Sequence, residues 1–228
     1  MRSSVGAQAP AYDRGVRLYL ASTSPARFST LRNVGIEPIT LAPGVDEEAA
    51  VAAREAELGH AMPAAEMVQL LARLKAEAIV GAEPGGHPID GFILGGDSAF
   101  ELDGVVYGKP HRPEVALERW QVQRGRSGVL HSGHWVIDHR GGAVRGAVGR
   151  ATSAIVHFAS DIEDAELEAY IATGEPLTVA GAFTIDSKGA AFIDRIEGDP
   201  HTVVGLSVPL LRVLVHELGG RFTDLWNR

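Results

Sequence analysis

The feature that most constrains the fold is a short apolar run, Arg17 to Ala21 (RLYLA), that stops abruptly at Ser22-Thr23-Ser24-Pro25. Such a run reads as a buried strand. Ser24 fits a helix N-cap and Pro25 the first helical position. Phe28, Leu31 and Val34 then recur at helical spacing, and Gly35 ends the helix. The result is a strand, a tight polar loop and a helix N-terminus, where free N–H groups and the helix dipole favour an anion. Ser22 and Ser24 add hydroxyl donors and Arg27 a guanidinium. A capped helix with a solvated arginine would read the same way, so the stretch is a candidate anion site.

The rest of the chain alternates in kind. Ile36–Leu41 is a candidate strand, followed by an acidic loop at Val45-Asp46-Glu47-Glu48. Met67, Leu70, Leu71, Leu74 and Ala78 form one stripe, predicting a helix from Pro63 to Ala82. Phe92–Gly96 reads as a buried strand with Asp97 at its carboxyl end. Asp103-Gly104 marks a hairpin between Phe100–Leu102 and Val105–Tyr107. A helix follows from Pro113 to Gln123. Trp135–Asp138 and Arg150–Ala159 read as strands joined by a Gly-rich hairpin. Ser160 or Asp161 caps a helix ending at Gly174. Ala182–Asp186 and Ala191–Ile196 are further candidate strands, and Ser207 caps a last helix. Strands mixed with helices mean α/β, and the hairpins make the sheet mixed.

Composition then excludes several classes. No cysteine is present, which removes disulfides, thiolate metal sites and cysteine nucleophiles. No run of about 18 apolar residues suggests a membrane span, and the first residues lack an apolar signal-peptide core. The expectation is therefore a cytoplasmic protein with no membrane partner. Residues 1–15 are small and polar and read as a disordered lead-in to one domain over residues 16–228. A net charge of -8 disfavours a nucleic-acid polymer as partner. It leaves room for a small anion held by a local positive site.

Other candidates are weaker taken singly. Asp97 at a strand end, after two glycines, could hold Mg²⁺ or orient a water, but could equally be a turn cap. Glu47 could supply a second carboxylate. Lys75, on the shoulder of the helical stripe, has the look of a surface lysine. Lys109 sits between a glycine and a proline after the hairpin. His131 and His134, three apart in a strand, fall on opposite faces and are rejected as a metal pair. No Walker-type loop and no GxSxG elbow occurs. Metal-assisted attack on a phosphate ester fits what remains.

Four separated stretches, in order, resemble the Maf family. They are Leu20-Ala21-Ser22-Thr23-Ser24-Pro25-Ala26-Arg27, Val45-Asp46-Glu47, Gly96-Asp97-Ser98 through Gly108-Lys109-Pro110, and a carboxyl-terminal set. That set comprises Gly174-Glu175-Pro176, Ala180–Phe183 and Ile196–Asp199 with Val204–Leu206. The resemblance implies a two-lobed α/β fold with a central mixed sheet flanked by helices, a cleft between the lobes, and kinship with the inosine-triphosphate pyrophosphatases. It implies hydrolysis of a nucleoside triphosphate, dTTP, UTP or a modified nucleotide among them, between its α and β phosphates. It implies a divalent cation (Mg²⁺, with Mn²⁺ or Co²⁺ as alternatives) and a homodimer. By position, Ser22, Ser24 and Arg27 would hold phosphate, Glu47 and Asp97 would serve metal and water, and Lys75 and Lys109 would neutralise phosphate charge. Asp97 as general base is part of that implication; spacing alone does not choose it over Glu47.

This chain departs from the family pattern in places. Ala26 stands for the usual first arginine, Ser98 for a threonine and Gly128 for a histidine. Asp186 follows Ile185 where dTTP/UTP-preferring members carry glutamine, which bears on base specificity, because a carboxylate accepts but does not donate. Two alternatives accompany the pyrophosphatase expectation. One is a nucleotide-binding regulator of cell division with weak catalysis. The other is a phosphohydrolase releasing orthophosphate.

Overall fold

The computed structural model describes residues 15–228, so the expected lead-in lies, apart from Gly15, outside the described residues. The elements run β1 (Arg17–Ala21), α1 (Pro25–Asn33), β2 (Ile39–Leu41), α2 (Glu47–Leu58), α3 (Ala64–Ala78), β3 (Gly91–Leu102) and β4 (Val105–Tyr107). They continue with α4 (Pro113–Gln123), β5 (Ser127–Asp138), β6 (Gly146–Phe158), α5 (Asp164–Ala172), β7 (Ile193–Glu197), α6 (Pro200–Val204) and α7 (Val208–Glu217). The strands form one sheet in the order β2-β1-β3-β5-β6-β7, with β4 added to β3. β1 is parallel to β2 and β3, while every other pair is antiparallel. The expected mixed α/β architecture is what the chain adopts.

β1 explains the fold's first half. Leu18 to Ala21 are at most 1% exposed. Leu18 and Leu20 pack with Phe92, Leu94, Val136 and the α7 leucines, whereas Tyr19 and Ala21 pack with Ile93, Ile137 and Ala76 of α3. The strand is thus covered on both faces, and each of its two buried leucines stabilises the fold by about 1.5–3 kcal/mol. α3 sits directly on the sheet because β3 and β5 present glycine to it. A Cβ on Gly95 would run into the Ala72 carbonyl, and one on Gly133 into the Val68 carbonyl.

The other half has an aromatic core. Phe100, Trp120, Phe158, Tyr170 and Phe183 pack with ring centroids 5.0–5.8 Å apart, mostly edge to face. Gly128, the departure from histidine, leaves the space that the Phe100 ring fills. Between the two halves the strands turn polar and small: Gly96-Asp97-Ser98-Ala99 in β3 lies opposite His131-Ser132-Gly133-His134 in β5. This belt separates aliphatic from aromatic packing.

Several sequence expectations need correction. Glu47 and Glu48 do not lie in a loop but open α2, which Asp46 caps by accepting from the Ala49 amide at 3.0 Å. The alanine-rich stretch after them carries no strong apolar stripe, and so hides the helix. Ala182–Asp186 is not a strand. It follows a 3-10 turn at Ala180–Ala182, where Gly181 and Ala182 have φ of 73° and 60°. The helix after β6 starts at Asp164, where Glu166 accepts from the Glu163 amide, not at Ser160 or Asp161. Finally, β3 does not end before Asp97 but runs through it to Leu102.

Candidate active site

The passage of β3 through Asp97, beyond the end of β1, leaves that residue available for chemistry. β1 pairs with β3 only as far as Ala21 opposite Gly95, and β4 pairs with β3 only from Phe100. Among the described residues, β3 therefore has no strand partner on this edge from Gly96 to Ala99. A notch opens at the carboxyl end of β1, where ligands of open α/β sheets sit. The strand that ends beside Asp97 is β1, not β3.

Three elements converge on the notch. Asp97 points from β3 toward α3. Lys75, in the last turn of α3, reaches it with Nζ 2.7 Å from Asp97 Oδ1. Glu47, at the N-terminus of α2, places Oε1 2.8 Å from the same Nζ. The Lys75 side chain is only 9% exposed, so it is no surface lysine. Its placement follows from Gly95 and Gly133, which let the α3 backbone approach the sheet. Burial pushes the Asp97 carboxyl above the usual carboxylate range, against the pull of Lys75 and Arg27. A raised pKa suits a group that must take a proton near neutrality.

The β1–α1 loop forms the opposite wall. Ser24 caps α1 by accepting from the Arg27 amide at 3.4 Å, and Pro25 occupies its first position. The Ser22 hydroxyl accepts from the Ser24 amide at 3.1 Å and from Arg27 Nη1 at 3.3 Å. Arg27 is buried. Its Nη2 donates to Ser98 Oγ and its Nε to the Gly205 carbonyl, each at 2.8 Å. Burial lowers its pKa, with Asp97 and Glu47 acting to raise it. A buried cation in the first turn of a helix works against both desolvation and the helix dipole. Among the described residues no carboxylate contacts it directly. Arg27 therefore keeps a local positive field, and two of its five N–H donors remain free for an anion.

Ser98 extends this network inward. Its Oγ lies 2.9 Å from Ser132 Oγ, which donates to the Thr202 carbonyl at 2.8 Å. The replaced threonine hydroxyl is thus retained in use. Residue-level reading missed Ser132 and the Gly205 carbonyl. The period-two placement of Ser132 and His134 beside Ser98 was the available signal. His134 is buried and accepts from the Ser207 amide at 2.8 Å, while His131 lies on the other face near Ser153 and Glu101. Their rejection as a metal pair agrees with this.

Two candidates stand apart. Lys109 is exposed after β4 and makes no hydrogen bond or ion pair with any described residue. Asp186 is exposed beyond the 3-10 turn. Together with Ile185 it lines a cleft of ≈ 220 Å³ with Ser29, Thr30 and Asn33 of α1 and Pro200, His201 and Val204 of α6. That cleft shares α1 with the Ser22–Arg27 wall.

No group of three or more His, Asp or Glu side chains is placed to hold a metal among the described residues. Glu47 and Asp97 are the two acidic side chains brought together. Mg²⁺ is usually held by one or two carboxylates plus substrate phosphates and water, so this pair fits a cation that arrives with a nucleotide.

Comparison with known proteins agrees with this geometry. Residues 17–218 match the family described as Maf-like protein. A protein named nucleoside triphosphate pyrophosphatase from Leifsonia xyli subsp. xyli is 65% identical over 213 residues, which cover 93% of this chain and 98% of that one. Proteins of the same name from Salinispora tropica and Rhodococcus opacus are 49% and 46% identical, over 93% and 91% of this chain and 88% and 94% of theirs. With the match spanning β1 to the end of α7, the chain belongs to the Maf-like family.

Proposed function

We infer that this chain is a nucleoside triphosphate pyrophosphatase, an enzyme that hydrolyses a nucleoside triphosphate to the monophosphate and pyrophosphate. The observation that carries the reading is Lys75, buried between Glu47 and Asp97 and facing the Ser22–Arg27 wall. The shared name of the relatives supports it.

The residues divide the work as follows. Ser22 and Ser24 hydroxyls, the α1 N-terminus and the free Arg27 N–H groups bind phosphate oxygens. Asp97 accepts a proton from the attacking water, whose oxygen bonds to the α-phosphorus. The bond from that phosphorus to the bridging oxygen breaks, and pyrophosphate leaves. Lys75 stabilises the charge that builds on the phosphates and bridges the two carboxylates. Lys109 contributes charge from the hairpin rim. Glu47 and Asp97 would hold the divalent cation, Mg²⁺ or equally Mn²⁺ or Co²⁺, which supplies charge neutralisation on the phosphates. Asp186 reads the base from the cleft beside α1.

A homodimer in the cytoplasm is the form this reading carries. No helix of the described residues is long and apolar enough to cross a membrane. Val105, Val106 and Ile155 are exposed apolar groups that a second copy would cover. Light scattering on the purified protein tests the dimer.

The experiment for the activity is a coupled pyrophosphate-release assay on a panel of canonical and modified nucleoside triphosphates, with Mg²⁺ and with EDTA. Metal-dependent pyrophosphate release is the expected result. Release of orthophosphate alone, or none from folded protein, overturns the reading.

A further inference from the structure

The segment from Thr184 to Gly189 has little regular structure of its own, yet a single carboxylate gathers it. Glu175 Oε1 accepts from Thr184 Oγ1 at 2.6 Å and from the Gly189 amide at 3.1 Å. Its Oε2 accepts from Ser187 Oγ at 2.8 Å and from the Lys188 amide at 3.4 Å, with Lys188 Nζ 3.5 Å away. The side chain is 14% exposed. Only an ionised carboxylate offers acceptors alone on both oxygens, so glutamine would turn an NH₂ toward two of these donors. Burial would push the carboxyl up, but the bonds from Thr184, Gly189, Ser187 and Lys188 outweigh it and bring it down to about 2.

The other end of the segment is tied to α4. Trp120 Nε1 donates to the Ala182 carbonyl at 2.8 Å and Gln123 Nε2 to the Gly181 carbonyl at 2.7 Å. Held at both ends, the chain leaves Ile185 and Asp186 at the cleft shared with Asn33 and His201. Asp186 makes no hydrogen bond or ion pair with any described residue, so its carboxylate is free for a ligand while its backbone is fixed from behind.

We propose that Glu175 is a positioning residue, which clamps the Thr184–Gly189 segment so that Asp186 and Ile185 meet the nucleobase in a fixed place and discrimination among bases follows. The proposal rests on the reading of Asp186 as the base-facing residue. Glu175 itself touches neither substrate nor the reacting atoms.

The test compares Glu175→Gln, Ser187→Ala and Asp186→Ala with the unaltered enzyme in the presence of Mg²⁺. Hydrogen exchange of the Lys188 and Gly189 amides reads the clamp. In Glu175→Gln their protection falls about tenfold, and less in Ser187→Ala, which removes one donor and keeps the fold secure. On a nucleotide panel, the ratio of best to worst kcat/KM falls about five- to tenfold in Glu175→Gln, through KM with little change in kcat. Inhibition by inorganic pyrophosphate, which reads the Ser22–Arg27 wall, stays the same. Lost protection with unchanged ratios overturns the positioning role. So does a joint loss of discrimination, kcat and pyrophosphate inhibition, which means general loosening. Unchanged ratios in Asp186→Ala beside altered ratios in Glu175→Gln overturn the base reading of Asp186 alone, and leave Glu175 acting through Ile185.

Discussion

The two sides of this site are built by different means. At the phosphate end, the end of β1, the N-terminus of α1, the last turn of α3 and the open edge of β3 place Ser22, Arg27, Lys75 and Asp97 by the geometry of regular elements. At the cleft end, Asp186 lies on a segment held by side chains that bond to it one at a time, from Trp120, Gln123 and Glu175. The first end is rigid because its neighbours are buried aliphatic strands and helices. The second is re-shaped by changing a few contacts. On the proposed reading, regular elements fix the phosphate chemistry while a few contacts set the choice of base. That division can be broken at defined points.

The largest effect belongs to Asp97. Asp97→Asn keeps the shape and one acceptor for Lys75 but cannot take a proton. Turnover falls by about 10³-fold, within the 10²–10⁴ range of a general base. Circular dichroism and the melting temperature show a folded protein. A variant within tenfold of the normal rate removes Asp97 from its role and the phosphate end from its place in the comparison.

Next comes the close approach of α3. In Gly95→Ala the new Cβ meets the Ala72 carbonyl, so helix and sheet must separate. Overpacking of this kind costs about 1–3 kcal/mol, read by urea unfolding. Because Lys75 rides on α3, kcat falls as well, while the ratios among bases hold. A change in base ratios without a change in kcat would mean that the two ends are not separately built.

This contrast also decides what the sequence makes legible. β1, the Ser24 cap, Pro25 and the α3 stripe are local signals, and they foretell the β1–α1 loop and the helix that carries Lys75. The edge gap at Gly96–Ala99 is not local, since it depends on where β1 stops relative to β3. Asp97 therefore reads as a strand end when it is mid-strand. Lys75 reads as a surface residue because its burial depends on glycines in two other strands. At the cleft end the legible signals mislead. Ala182–Asp186 has strand-forming residues, but Trp120 and Gln123, some 60 positions earlier, hold the Ala182 and Gly181 carbonyls in a turn at its start instead. Glu175 carries no sign that its four donors lie 9 to 14 residues onward.

The belt between the two ends has its own test. His134 is buried, and burial with the nearby Arg27 cation lowers its pKa to about 4. The neutral ring accepts from the Ser207 amide. A depressed folded-state value means the unfolded chain binds the proton first. Stability from this group is complete above about pH 6.5 and is lost as pH falls toward 4. By pH 5 the loss is about 2 kcal/mol. His134→Gln, which keeps an acceptor but does not titrate, flattens that part of the profile in urea unfolding. Equal slopes in both proteins would show that the ring is already protonated or that the belt opens freely.

The smallest effect is expected at Lys109, and it bears on where the phosphate end stops. Lys109 is exposed on the segment after β4 and has no hydrogen bond or ion pair with any described residue, so it acts across solvent that screens it. Lys109→Ala is expected to lower kcat/KM about fivefold, near 1 kcal/mol, with the difference shrinking as salt rises. Lys75, buried between two carboxylates, keeps its effect at high salt. A loss of 100-fold or more in Lys109→Ala, insensitive to salt, would place that lysine against the phosphates in the bound state. The β3–β4 hairpin would then close over the nucleotide, and the phosphate end would include one mobile part beside its fixed ones.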